Sequence, residues 1–194
     1  MLTITVKIEG TAPIAFGAPI RTPKETGETH DAYEQRTWRE RLHEDPEGYI
    51  FIPPMALKNC LSEVAQYLGE SVQGKGKATY TKHFVTGILV TDPMPVFNGD
   101  GKRIKAADVE PLRLFVPADG KRGGGKRVWK NFPTIPTPWS ATATIYVREP
   151  VLIDKPEKVE EYLGHAGKFI GLGSLRIRNN GYFGGFKVAE FKVT

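Results

Sequence analysis

Apolar and polar residues alternate from the first positions of the chain. Leu2, Ile4, Val6 and Ile8 interleave with Thr3, Thr5, Lys7 and Glu9, a period of two that predicts a strand with one buried face. Residues 10–24 are rich in proline, glycine and threonine and predict a loop. Thr29 then precedes a charged run whose apolar positions are only Tyr33, Trp38 and Leu42. That thin stripe predicts a helix over residues 32–42, capped by Thr29 and closed by Asp45, Pro46 and Gly48, appended to the core. Residues 49–53 predict a short strand. Pro54 suits a first helical turn, and Met55, Leu57, Leu61, Val64, Ala65 and Leu68 recur at helical spacing up to Gly69, a natural stop.

Residues 72–84 show no apolar period. Residues 85–92 predict a strand broken by Pro93 and Pro95, residues 113–117 another strand, and residues 118–133 a basic glycine loop. From Trp139 a long strand places Ala141, Ala143, Ile145 and Val147 on one face. Pro156 opens a second helix with Val159, Tyr162, Leu163, Ala166 and Ile170 as its apolar face. Residues 186–193 predict a closing strand with Phe186, Val188 and Phe191 inward. Reduced to its core, this order is β-α-β-β-α-β, an α+β fold of the ferredoxin-like or RRM-like kind. The 194 residues suit one domain, 1–194, with insertions at about 10–48 and 70–135.

Charge is unevenly placed. Residues 70–130 hold 12 Lys and Arg against 6 Asp and Glu, whereas residues 1–69 hold 7 against 10. A basic middle third points to an anionic partner, nucleic acid first. Other classes recede. No apolar run approaches the roughly 18 residues of a membrane span. The opening "MLTITVKIEG" lacks a signal peptide's apolar block, so a cytoplasmic setting is expected. Cys60 is the single cysteine, which rules out an intrachain disulfide. His30, His43, His83 and His165 do not fall at metal-ligand spacing, and His165 is expected to be structural beside the second helix. No metal and no cofactor are expected. "GKGKAT" lacks the glycine spacing of a phosphate-binding Walker loop, and "GLGSLRI" lacks the strand-turn-helix setting of a dinucleotide site.

Three segments share glycine, cations and aromatics. The first carries Lys75, Lys77, Tyr80, Lys82 and His83. The second carries Lys121, Arg122, Lys126, Arg127, Trp129 and Lys130. The third, "GLGSLRIRNNGYFGGFKV" at 171–188, carries Arg176, Arg178 and Tyr182. Cations neutralise phosphates, glycine admits close backbone approach, and aromatic faces stack on bases. Solvated loops with aromatics buried beneath them would have the same composition. In an extended segment Arg176 and Arg178 would point to one side, with the glycines leaving room for a phosphate chain. His83, beside Tyr80 and Lys82, offers an alternative: general acid–base cleavage of RNA without metal.

Two stretches resemble a known family. "FIPPMALKNCLSEVA" at 51–65 is similar to the strand-proline-lysine-helix element of the RAMP superfamily, the RNA-recognition-motif-like proteins that form CRISPR effector backbones and process guide RNA. "GLGSLRIRNNGYFGGF" resembles the carboxy-terminal glycine-rich loop of the same superfamily. "RTWRERLH", "GKGKATYTKHF" and "RGGGKRVWK" are also similar to segments of bacteriophage-encoded proteins. The resemblance implies RNA held between the glycine-rich loop and the lysine at the helix start, here Lys58, Arg176 and Arg178. It implies a non-enzymatic single-strand binder, partnered with RNA or DNA and with copies of itself or effector subunits. The alternatives are a RAMP-type endoribonuclease and a phage protein that binds or mimics an effector subunit.

Overall fold

The computed structural model describes residues 1–118 and 125–194. In chain order the elements are β1 (Leu2–Gly10), β2 (Ile14–Ala15), α1 (His30–Thr37), β3 (Phe51–Ile52), α2 (Pro54–Leu68), α3 (Tyr80–Gly87), β4 (Ile88–Leu89) and β5 (Met94–Asn98). They continue with β6 (Glu110–Pro117), β7 (Arg127–Ile135), β8 (Trp139–Val147), α4 (Pro150–Ile153), α5 (Pro156–Phe169) and β9 (Phe186–Val193). Short 3-10 turns follow α1 and precede β6 and β9. The fold is α+β, with helices packed on antiparallel sheets.

The main sheet has six strands. Five run in the order β3-β5-β8-β1-β9, and β4 pairs with the far end of β8. All the pairings are antiparallel. Alternation decides which face is covered. Ile4, Val6 and Ile8 of β1 and Ala141, Ala143, Ile145 and Val147 of β8 are buried, as their period of two predicts. Against them pack Leu57, Leu61 and Val64 of α2 and Val159, Leu163 and Ala166 of α5. Burying each such leucine or valine contributes about 1.5–3 kcal/mol. β9 holds its register through a bulge between Lys7 and Ile8. Val188 faces Ile8 and Phe191 faces Val6, with one extra residue between them. The opposite face of the sheet carries Thr3, Thr5, Lys7 and Glu9 opposite Tyr146, Thr144, Thr142 and Ser140.

A second sheet, β2-β7-β6, stands beside the first. Its long hairpin has one face on Ala15, Phe132 and Phe183, with Leu112, Leu114, Val116 and Leu175 packed around them. α1 docks on β7: the buried Glu34 carboxylate accepts the Asn131 backbone N–H at 3.1 Å and the Arg41 guanidinium at 2.7 Å. Thr29 caps α1 by accepting from the Ala32 N–H at 3.2 Å. Trp38 and Leu42 of the predicted stripe are buried in the main core.

Three expectations are corrected. Residues 80–87 are a helix. Tyr80, His83, Phe84 and Gly87 recur at helical spacing and all are buried, so the period was carried by residues that are not plain aliphatics. The strand expected over 85–92 shrinks to β4, and β5 runs through the proline stretch instead. Pro95 pairs only toward β3, outside the β5–β8 ladder of Val96–Asn98, so its missing N–H breaks no bond to β8. Arg127–Ile135 is a strand rather than a glycine loop. The stretch 70–135 therefore supplies two strands of the main sheet as well as the hairpin.

Candidate nucleic-acid interface

The glycine-rich segment is neither extended nor loose. It leaves α5 at Phe169, passes through a 3-10 turn at Ile177–Asn179, and is knitted to the 11–15 stretch. The Ser174 N–H donates to Ala15 O at 2.7 Å, the Gly184 N–H to Pro13 O at 2.7 Å, and the Leu172 N–H to Gly184 O at 2.9 Å. Its glycines are required by this packing. Gly173 and Gly184 have φ of +76° and +73°, and a Cβ at either would overlap a carbonyl, that of Ala15 or of Leu172. The expectation that the glycines clear space for a phosphate chain is corrected at these positions: the chain itself fills the space.

Arg176 and Arg178 converge on one carboxylate. Arg176 donates to Glu63 at 3.1 Å, and Arg178 Nε lies 3.1 Å from the second Glu63 oxygen. The three together carry a net charge of +1. Arg176 and Glu63 line a cleft of about 390 Å³ between the glycine-rich loop and the start of α2, shared with His43, Asn59, Ser174 and Asn179. Burial holds His43 below its ordinary titration range. The amino end of α2, where Pro53 and Ala56 line the same cleft, adds the positive pole of a 15-residue helix.

A second cleft, again about 390 Å³, opens between the loop and the hairpin. Arg41 and Lys130 face Leu175, Asn180 and Gly181 across it. On the other hairpin face Phe115 and Trp129 lie opposite each other in the ladder, ring centroids 5.2 Å apart, and are 45% and 47% exposed. Arg113 lies over Trp129 at 4.9 Å and Arg127 over Phe115 at 5.4 Å. Lys126 is exposed at the start of the returning strand. Tyr182 on the glycine-rich loop is 64% exposed and leans on the buried Phe183.

Of the three composition-alike segments, the last two meet and the first stands apart. Lys75 and Lys77 lie on the turn beyond the carboxy end of α2, and Lys82 is exposed on α3. Tyr80 and His83 are in the core, His83 only 5% exposed with Nδ1 3.0 Å from the Glu149 carboxylate. Neither offers an exposed stacking face. Lys58 is committed to the fold. Its three donors are occupied by Ser62 Oγ at 3.0 Å, Phe84 O at 2.9 Å and Val85 O at 2.8 Å, tying α2 to α3. Burial lowers its pKa from the ordinary lysine value. Lys121 and Arg122 lie outside the described residues.

Phe115, Arg113, Arg41 and Asn59 belong to this surface and were not singled out from sequence. Phe115 and Arg113 alternate along β6 in phase with Trp129, a signal visible only once β7 is recognised as a strand. Among the described residues no three His, Cys, Asp or Glu side chains group as metal ligands. Cys60 is buried, its thiol pushed up to about 12 by burial.

No family model and no curated protein matches this chain. Its fold is that of solved chains of the Cmr type. One belongs to the cryo-EM structure of the Type III-B Cmr-beta bound to cognate target RNA, at a TM-score of 0.59 and 12% identity. The match covers 99% of this chain, which spans 60% of that one. The crystal structure of Cmr6 from Pyrococcus furiosus aligns at a TM-score of 0.52 and 13% identity, over 97% of this chain and 98% of that one. Among the described residues no helix is long and apolar enough to cross a membrane.

Proposed function

We propose that this chain is a RAMP-type subunit that binds single-stranded RNA by its phosphates, within a CRISPR effector of the Cmr kind. The observation that carries it is the meeting of two basic segments far apart in sequence: the glycine-rich loop and the β6–β7 hairpin line one cleft, and Arg176 continues it toward α2. The order β5-β8-β1-β9 with α2 and α5 on one face supports a ferredoxin-like core within a single domain, 1–194. Likeness to a chain of an RNA-bound Cmr assembly favours RNA over DNA and other effector subunits as protein neighbours. Bound RNA stays intact, because His83 is inside the core.

Labelled single-stranded RNA titrated with the protein over a salt series tests this. Log affinity is expected to fall linearly with log salt, by about 0.7 for each phosphate neutralised. The double variant Lys126→Ala/Arg127→Ala is expected to shallow that slope without changing which sequences bind. A salt-independent affinity, or RNA cut during the incubation, would overturn the reading.

A further inference from the structure

Beyond the cleft, the two long helices carry a group of rings at the margin of the core, where Phe169 packs partly against it. Tyr67 of α2 is 58% exposed, and its ring centroid lies 5.5 Å from that of Phe169 on α5. His165, one turn back on α5, stacks on the same Phe169 at 5.8 Å and 15°. Lys168 Nζ sits 5.3 Å from the Phe169 ring. Three aromatic faces and a cation thus share one patch.

The patch is continuous with the cleft. Asn59, Glu63 and Tyr67 are spaced by four on α2, so they form one stripe along its surface. Asn59 and Glu63 line the cleft, and Tyr67 lies about 12 Å beyond Asn59 along the helix axis. The glycine-rich loop reaches the same place from the other side. The Arg178 N–H donates to Ile170 O at 3.1 Å, next to Phe169, while its guanidinium is held beside Glu63. Cations therefore sit where the stripe leaves the cleft and again over the rings. Glu161, 4.0 Å from His165, bounds the patch at its far side and is unfavourable to phosphate there.

The geometry points to a base-stacking platform of Tyr67, Phe169 and His165, on which a single strand leaving the cleft past Arg176 and Arg178 lays its next bases. This rests on the RNA-binding reading above and extends it to a surface outside both clefts. Rings beside cations match a chain of bases and phosphates.

The test uses the full chain and single-stranded RNA carrying 2-aminopurine, whose fluorescence is quenched on stacking. The parent is expected to quench it. Tyr67→Ala is expected to lose the quenching and roughly 5- to 100-fold in affinity, with an unchanged salt slope, because stacking is not ionic. Tyr67→Leu keeps apolar bulk without a π-face and is expected to behave like Tyr67→Ala. Tyr67→Trp is expected to retain binding. All three are expected to melt with the parent, the ring being mostly exposed. If Tyr67→Ala binds RNA as well as the parent while Lys126→Ala/Arg127→Ala is weakened, RNA binding stands and the platform falls, leaving the rings to a protein contact. Full affinity in Tyr67→Leu would equally overturn stacking. If the parent binds no single-stranded RNA, both readings fall together.

Discussion

Glu63 is the residue that decides how strongly the glycine-rich loop attracts an anion. Two guanidinium groups sit at 3.1 Å from its oxygens, so an incoming phosphate meets a cluster of net charge +1 rather than two free cations. Arg176 and Glu63 are only 21% and 24% exposed and Arg178 is 43% exposed, so this cluster contributes more than the roughly 0–1 kcal/mol of a fully exposed pair. Glu63→Gln is expected to lower the melting temperature by leaving two guanidinium groups without their shared carboxylate, to tighten binding of the folded protein to single-stranded RNA several-fold at low salt, and to steepen the salt dependence. Weaker binding in that variant would mean that the carboxylate positions the arginines instead. Arg176 and Arg178 were legible in the sequence as cations within a glycine-rich stretch. Their partner was not, because Glu63 lies 113 residues before Arg176 and only the packing of the loop against α2 joins them. Lys58 shows the converse. Its place at a helix start is readable, but the two α3 carbonyls that occupy its donors belong to a helix whose period is carried by Tyr80, His83, Phe84 and Gly87.

At the level of elements, α2, α5, β1 and β8 were legible because each repeats aliphatic residues at a single period against a covered face. β7 was not, since its first residues face solvent and include Lys and Arg, and only the 131–135 end is deeply buried. The hairpin matters because pairing Phe115 with Trp129 under two arginines builds a stacking surface that neither strand holds alone. Trp129→Ala removes one face of that pair. It is expected to cost about 1–3 kcal/mol of RNA-binding energy and to leave the salt slope intact, whereas loss of Lys126 and Arg127 alters the slope. Fluorescence anisotropy at several salt concentrations separates the two. If Trp129→Ala also flattens the slope, its ring is ordering the arginines rather than a base. Trp129 is half-exposed, so the variant is expected to stay folded; far-ultraviolet circular dichroism checks that.

For the whole molecule, α5 and the α2–α3 turn are tied by Glu70, beyond the end of α2 that lines the cleft. Lys158 donates to it at 2.7 Å and Tyr162 at 3.0 Å. The Lys158 bond chiefly holds the Glu70 carboxyl below its ordinary value of 4.5. Burial opposes the Lys158 charge, but its bonds to Glu70 and Glu161 outweigh it and raise the ammonium above its ordinary 10.5. Asp45 is likewise held low, first by the Tyr49 N–H and then by Arg103. A carboxyl depressed on folding stabilises fully above its unfolded value and loses that contribution as pH falls through its folded one. An ammonium raised on folding stabilises fully below its unfolded value and loses it as pH rises through its folded one. Stability is therefore expected to be greatest between about pH 7 and 9, to decline below about 6.5 as the buried His43 resists protonation and further below about 4.5 as Glu70 and Asp45 protonate, and to decline above about 9 as the buried Cys60 thiol resists ionisation and again above about 10.5 as Lys158 is neutralised. The net charge of +5 grows on acidification and adds self-repulsion to the acid limb. Thermal melts across pH measure both limbs. Glu70→Gln is expected to lower the plateau and flatten the start of the acid decline. An unchanged acid limb in that variant would show that Glu70 titrates alike in the folded and unfolded chain.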